Sequence, residues 1–345
     1  MEEQSNFYKV CVTGGSGFIG SCLVKKLLER GHTVHATTQN LGDESKVKLL
    51  KSLPNAESNL VLFQANIYNP DEFGPVIEGC LYVFHLATPL QHNPATASPY
   101  KDTTEAAIAG VRTIAELCGR SPTVKRLIYI GSVVAASPLK EDGSGYKACY
   151  DESCWTPLNL QYSSINNDLL AYVRSKTLSE KEILSYNDDC VGVEVVSLIC
   201  GLVGGDVKML AYVPGSVGAV VGQLTGNPFN YLSLKMIQEL LGSVPLIHIE
   251  DICEALIFCM KQSSMNGRFM CAAVDPTMSD MALYFLEKNP KFKIQDHGVI
   301  VEEAEKGSCC DMSKLKNLGF TYKYDMDVIL NDSIDCVTRS GLLQL

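Results

Sequence analysis

The chain has 345 residues, enough for about two domains or for one large domain carrying a lobe. Apolar residues make up 46% and charged residues 20%, which supplies a sizeable core and excludes wholesale disorder. A net charge of −10 argues against the basic face that nucleic acids and anionic membranes attract, and no apolar run reaches the roughly 18 residues of a membrane span.

In chain order, the first two hundred residues alternate strand-like runs with helical periodicity. KVCVT (Lys9 to Thr13) reads as a buried strand, and Phe18 to Arg30 follows with Ile19, Leu23, Leu27 and Leu28 at helical spacing. Strands are predicted at Thr33–Thr38, Leu60–Ala65, Tyr82–Leu86, Arg126–Gly131 and Glu194–Ile199. Helices are predicted between them, near Ser45–Ser52, Phe73–Ile77, Thr103–Cys118 and Asp168–Tyr186. Strands separated by helices imply right-handed crossovers and a parallel sheet, hence a doubly wound α/β fold of Rossmann type. After about Gly204 the alternation gives way to shorter pieces: LIHI, a helix Asp251–Gln262, RFMCAA, a helix Asp280–Asn289 and a last helix near Asp325–Ser340. The expected organisation is a dinucleotide-binding domain over 1–204 and a smaller substrate-binding lobe over 205–345.

MEEQSNFYKV lacks a basic n-region and an apolar h-region, and SGLLQL matches no retention or lipidation signal, so a cytoplasmic protein, and a monomer, is expected. Fourteen cysteines lie scattered without C-x-x-C pairs, as expected of buried reduced thiols. Cys309 and Cys310 are adjacent, which allows redox sensitivity, and no function is built on them. The six histidines are dispersed, and no metal site is expected.

Gly14-Gly15-Ser16-Gly17-Phe18-Ile19-Gly20 follows the first strand and opens the first helix. Gly14 permits the tight turn, Gly17 lets backbone approach a pyrophosphate, and Gly20 allows close helix–sheet packing; the helix start at Phe18 and Ile19 offers free N–H donors. In this context the motif points to a dinucleotide. The second strand, whose end sets NAD against NADP, runs into Thr37-Thr38-Gln39-Asn40, with neither an acid nor a base. Lys46 and Lys48 follow, either as phosphate ligands or as ordinary solvated lysines, and NADP(H) is expected ahead of NAD(H).

Tyr172 and Lys176 stand four apart on a predicted helix and share one face. An ammonium near a phenol lowers its pKa from about 10, which suits tyrosine to protonating a carbonyl. Tyr231–Lys235 and Tyr284–Lys288 repeat the spacing, but only Tyr172 lies between the fifth and sixth strands of the alternating region. Ser132, at the carboxyl end of its strand, completes a Ser–Tyr–Lys set able to polarise a carbonyl oxygen.

TGGSGFIGS, HLATP (His85 to Pro89), Ser132, YDESCW (Tyr150 to Trp155) and YVRSKTLSE together resemble the extended short-chain dehydrogenase/reductases of plants. The group is that of dihydroflavonol, anthocyanidin and vestitone reductases, and GSVPLIHIEDICEALIF (Gly242 to Phe258) looks most like anthocyanidin reductase. The resemblance implies that Tyr172 donates the proton, that Lys176 binds the nicotinamide ribose and lowers the tyrosine pKa, and that Ser132 orients the substrate oxygen. It implies cofactor contacts at Ala87, Thr88, Asn66, Ile67, Cys200 and Val203. This chain departs from the group's pattern at four places. Gln39 stands where NADPH-using relatives carry arginine, Asn66-Ile67 replaces the Asp-Leu that holds adenine, Cys200 replaces a proline, and Ser137 replaces a substrate-reading asparagine.

The expected function is an NADPH-dependent reductase of a flavonoid-like or other phenolic substrate, an aromatic small molecule. Met209, Tyr212, Met236 and Leu240 are pocket-wall candidates or plain core, and His92 is a substrate contact or a solvated loop histidine. The alternatives are a hydroxysteroid-type dehydrogenase, a sugar-nucleotide epimerase or a non-catalytic dinucleotide sensor. The epimerase is disfavoured because only Arg268 and Arg339 follow position 174.

Overall fold

The computed structural model describes residues 7–89, 100–159, 166–189, 192–295 and 307–343. His92 lies outside them.

Strands form where the sequence placed them: β1 Lys9–Thr13, β2 Thr33–Thr38, β3 Leu60–Gln64, β4 Tyr82–His85, β5 Arg126–Ile130 and β7 Glu194–Cys200. They belong to a seven-stranded sheet in the order β10-β7-β5-β4-β1-β2-β3, with β10 at Gly267–Cys271. Every strand pair with a defined register within it is parallel, for example Val10 opposite Val34 on one side and Tyr82 on the other. The chain runs outward from β1 to β3 and returns to β4 on the opposite side of β1. That reversal makes a switch point beside the carboxyl ends of β1 and β4, where sheets of this kind open a ligand crevice. The helices Phe18–Glu29, Thr103–Arg120 and Asn167–Asp189 carry the connections expected of them.

Compact packing divides the chain into two interleaved units. One comprises Met1–Ile130, Leu178–Leu198 and Cys253–Arg268. Its core joins Cys11, Val83, Leu127 and Tyr129 on the strands to Ile114, Cys118 and Ile183 on the helices. Two of the ion pairs in this unit hold arginines that are nearly buried. Arg268, 8% exposed, reaches Glu180 at 3.1 Å, and Ser197 Oγ donates to the same carboxylate at 2.6 Å. Arg126 Nε donates to Glu194 at 2.8 Å.

The other unit comprises Gly131–Thr177, Ile199–Ile252 and Phe269–Leu345. It contains two small parallel pairs, β6 (Cys149–Tyr150) with β11 (Cys309–Cys310) and β8 (Leu202–Gly204) with β9 (Leu246–His248); of these strands the sequence announced β9, as the strand-like LIHI. Helix Pro228–Leu241 was also unannounced, although its start is legible: Asn227 accepts from the Phe229 and Asn230 N–H groups, and Pro228 occupies the first turn.

Three histidines are held below the ordinary histidine range, His32, His35 and His248, each chiefly by burial. Burial outweighs the contacts that favour the charged form: His35 Nδ1 meets Val76 O at 2.8 Å and His248 Nε2 faces Asp332 at 3.1 Å, whereas His32 Nδ1 accepts from Tyr8 N at 3.2 Å. A depressed folded-state pKa means that the unfolded chain binds protons first. Their contribution is therefore complete above about pH 6.5 and is lost as pH falls below it. The melting temperature is expected to drop between pH 7.5 and pH 5.5, before the carboxylates begin to titrate. A flat profile across that interval overturns this reading.

Candidate active site

The glycine turn adopts the geometry that its residues require. Gly14 has φ +70°, the left-handed region, and a Cβ there would lie 3.2 Å from the Ala87 backbone. Its N–H donates to Thr37 Oγ1 at 2.9 Å, and Gly15 N donates to Thr37 O at 2.9 Å. A Cβ at Gly20 would sit 2.1 Å from Gly14 O, so only glycine lets the first helix start this close to the turn. Gly17 is the N-cap and supplies no side-chain acceptor, which leaves the N–H groups of the half-buried Phe18 and Ile19 without a side-chain cap. This cradle fits a diphosphate: positive helix end, bare backbone and no side chain in the way.

Two residues that brace the turn were missed in the sequence. Thr13 Oγ1 accepts from both Leu86 N and Ala87 N at 3.0 Å and contacts His85 Nδ1 at 2.9 Å, which fixes the segment carrying Ala87 and Thr88 against the end of β1. Thr37 anchors the turn from β2. Their signal was a threonine at each strand's carboxyl end, a polar residue that burial forces to find partners.

The adenosine-side candidates are less free than their sequence positions suggest. Gln39 is exposed, as is Lys48. Lys46 is in an ion pair with Asp43 at 3.1 Å, and Asp43 also caps the helix Glu44–Lys51 through Lys46 N. The Ser45 and Lys46 bonds hold the Asp43 carboxyl at about 2. Asn66 Oδ1 accepts from Tyr68 N at 3.1 Å in a local turn, while Ile67, 3% exposed, packs against Gly110.

Ser132, Tyr172, Lys176, Cys200 and Val203 all belong to the second unit. Ser132 ends the run after β5 and caps the short helix Val133–Ala135, its Oγ accepting from Val134 N. The Ser132 side chain is close enough to the Tyr172 phenol to pull its pKa down, so the two groups that the sequence paired at a distance of forty positions are neighbours. Tyr172 is half-buried and Lys176, one helical turn on, is 3% exposed. Burial pushes the Tyr172 phenol above its ordinary range, Ser132 pulls it back, and the nearby Cys200 adds to the rise. The net direction is opposite to the lowering that the resemblance implied, because desolvation exceeds the opposing influences here. A phenol so placed is protonated at neutral pH, the state a proton donor needs. Burial also pushes the Cys200 thiol up to about 12, against the pull of the Lys176 ammonium. Val203 is buried on β8, opposite Ile247.

Ser137 is 1% exposed. Its hydroxyl donates to Leu240 O and accepts from Leu139 N at 3.1 Å, so its hydrogen already has an acceptor within the fold. Met236 and Leu240 are core, whereas Tyr212 is 46% exposed and Met209 half-buried. Neither repeated Tyr–Lys pair resembles the first. Tyr231 is buried on its helix, and the Tyr284 hydroxyl donates to Asp327 O at 3.1 Å. Both late arginines have acidic partners, Arg268 with Glu180 and Arg339 with Asp206. No group of three metal-ligating side chains occurs among the described residues, and no helix there is long and apolar enough to cross a membrane.

Residues 10–272 match the model of the NAD dependent epimerase/dehydratase family. A putative anthocyanidin reductase of Ginkgo biloba is 35% identical over 334 residues, spanning 97% of this chain and 95% of the relative. Dihydroflavonol 4-reductase of Gerbera hybrida is 34% identical, spanning 99% and 89%. Among solved structures, vestitone reductase from alfalfa superposes with a TM-score of 0.78 at 30% identity, covering 97% of this chain and all of that one. The chain belongs to the NAD dependent epimerase/dehydratase family, in the group of plant extended short-chain reductases that includes dihydroflavonol, anthocyanidin and vestitone reductases, and is an NAD(P)-dependent oxidoreductase.

Proposed function

We propose that this chain is an NADPH-dependent reductase of a flavonoid-like or related plant phenolic, with Tyr172 as proton donor. The observation that carries the reading is the Ser132 side chain beside the Tyr172 phenol, one helical turn from a buried lysine. When bound, the nicotinamide cofactor supplies the hydride. In the first unit the glycine turn would hold its diphosphate through backbone N–H groups, with Ala87 and Thr88 as further contacts; in the second, Lys176 would hold the ribose. Ser132 donates to the substrate oxygen and orients it, and Tyr172 delivers the proton that neutralises the charge developing there.

The substrate class follows from charge as well as kinship. A sugar nucleotide brings a diphosphate that needs cations, but the late arginines are engaged by Glu180 and Asp206. A neutral or cationic aromatic molecule has no such requirement, and the similar proteins are anthocyanidin, dihydroflavonol and vestitone reductases. NADPH is favoured because no acid stands at the end of β2 in Thr37-Thr38-Gln39-Asn40, although the Lys46–Asp43 pair a few residues on tempers the attraction.

The test is a panel of anthocyanidins, dihydroflavonols and other phenolic ketones, assayed separately with NADPH and NADH. Reduction of at least one panel member is expected, with NADPH the more efficient donor and Gln39→Arg widening its lead. Turnover of a steroid or sugar nucleotide alone overturns the substrate class. Greater efficiency with NADH overturns the cofactor assignment.

A further inference from the structure

We propose that Cys149 and Cys309 form an oxidisable dithiol site, which reacts with a small-molecule disulfide and closes to a reversible protein disulfide. The two cysteines face each other in the parallel pair of β6 and β11, Cys149 opposite Cys309 and Tyr150 opposite Cys310. Cys309 N donates to Ala148 O at 3.0 Å and Asp311 N to Tyr150 O at 2.8 Å, so the register is fixed on both sides of the pair. Both residues are exposed, whereas every other cysteine among the described residues is buried. The facing Cys309 side chain holds the Cys149 thiol above its ordinary range, so an alkaline medium is needed to expose the thiolate. Strands in a sheet lie about 4.8 Å apart, inside the window of about 4.4–6.8 Å between Cα atoms that a disulfide bridges. A two-residue ladder leaves the ends free to close the remaining gap between the sulfurs.

The sequence shows Cys309 and Cys310 side by side, but the strand geometry sets Cys309 opposite Cys149 instead. Successive side chains on a strand point to opposite faces, so Cys310 turns inward as Cys309 turns out. Cys310 is 5% exposed, with its N–H on Asp275 at 3.1 Å, and burial pushes its thiol up to about 12. Cys154, the next candidate partner for Cys149, is 4% exposed.

The chemistry balances with one equivalent of oxidised glutathione. One thiol of the pair, as thiolate, attacks a glutathione sulfur and expels one glutathione thiolate, giving a mixed disulfide. The second thiol then attacks the protein sulfur of that mixed disulfide and expels the other glutathione. Two protein thiols are oxidised, one disulfide is reduced to two thiols, and the two protons go to the departing glutathiones. The new bond would tie β11 to the segment that braces the Ser132 loop. Downstream of Cys149, Thr156 N donates to Ala135 O at 3.1 Å and Thr156 Oγ1 bonds Val134 O and Ser137 N.

The experiment treats the full-length chain with oxidised glutathione at mildly alkaline pH, alkylates the remaining thiols and maps peptides without reduction. The expected result is a linked Cys149–Cys309 peptide, two hydrogens lighter than its parts, with the loss of two titratable thiols that dithiothreitol restores. In Cys149→Ser or Cys309→Ser the link disappears and the remaining cysteine keeps one glutathione. The proposal is overturned if wild type carries separate glutathione adducts or unreacted thiols at both positions. It is equally overturned if Cys309 links to Cys310, or Cys149 to Cys154.

Discussion

Tyr172→Phe is expected to lower turnover by about 10²- to 10⁴-fold while dinucleotide affinity hardly changes. The substitution removes one hydroxyl from a half-buried ring and leaves the helix Asn167–Asp189 its apolar contacts. That hydroxyl matters when a proton moves, so its loss falls on the chemical step. Burial raises the phenol pKa and so makes it the weaker acid, and the expectation rests on the hydroxyl's place beside Ser132 rather than on its acidity. Lys176→Ala should harm both binding and turnover, since the ammonium is assigned to the ribose. Tyr284→Phe is the internal control. Its hydroxyl bonds Asp327 O and its ring lies 5.1 Å from the Lys288 ammonium, so removing the oxygen costs roughly 1 kcal/mol of stability but leaves turnover within a few-fold. Near-normal turnover in Tyr172→Phe, or an equal loss in the control while both stay folded, sinks the assignment. The measurement is steady-state turnover beside cofactor binding by NADPH fluorescence.

The sheet was legible because buried parallel strands read as short apolar runs between amphipathic helices, and β1 and β2 begin and end where KVCVT and TVHATT do. The glycine turn was legible for a steric reason. Only glycine satisfies the contacts at Gly14 and Gly20, so the residue type itself records the geometry. Tertiary effects were not legible. Nothing local announced that two-residue strands at Cys149 and Cys309, far apart in sequence, would pair. Nor did residue identity reveal that Ser137 bonds Leu240 or that Lys46 pairs with Asp43, because such commitments depend on which neighbours the fold delivers. The direction of the Tyr172 shift failed for the same cause. Helical spacing places an ammonium near the phenol, but desolvation is set by the whole surroundings.

Gly20→Ala is expected to weaken dinucleotide binding at least about tenfold and to lower the melting temperature, though alanine is the better helix former. Within a helix that exchange normally stabilises by about 0.5–1 kcal/mol. Here the new methyl would lie 2.1 Å from Gly14 O, 2.9 Å from Gly14 C and 3.0 Å from Gly15 Cα. All three atoms are backbone, so no side chain can rotate away and the helix start must retreat from the turn. Overpacking of this kind costs about 1–3 kcal/mol, which outweighs the propensity gain. The same retreat moves the N–H groups of Phe18 and Ile19 out of the cradle they form, and a loss of about 1.4 kcal/mol there is one decade in affinity. Gly215→Ala supplies the contrast, since a Cβ at that helical position meets nothing within 4 Å. It should be neutral or slightly stabilising and leave binding untouched. Thermal melting and cofactor titration of the two variants side by side decide the matter: if Gly20→Ala melts and binds like wild type, the turn does not hold the diphosphate in the way its sterics require.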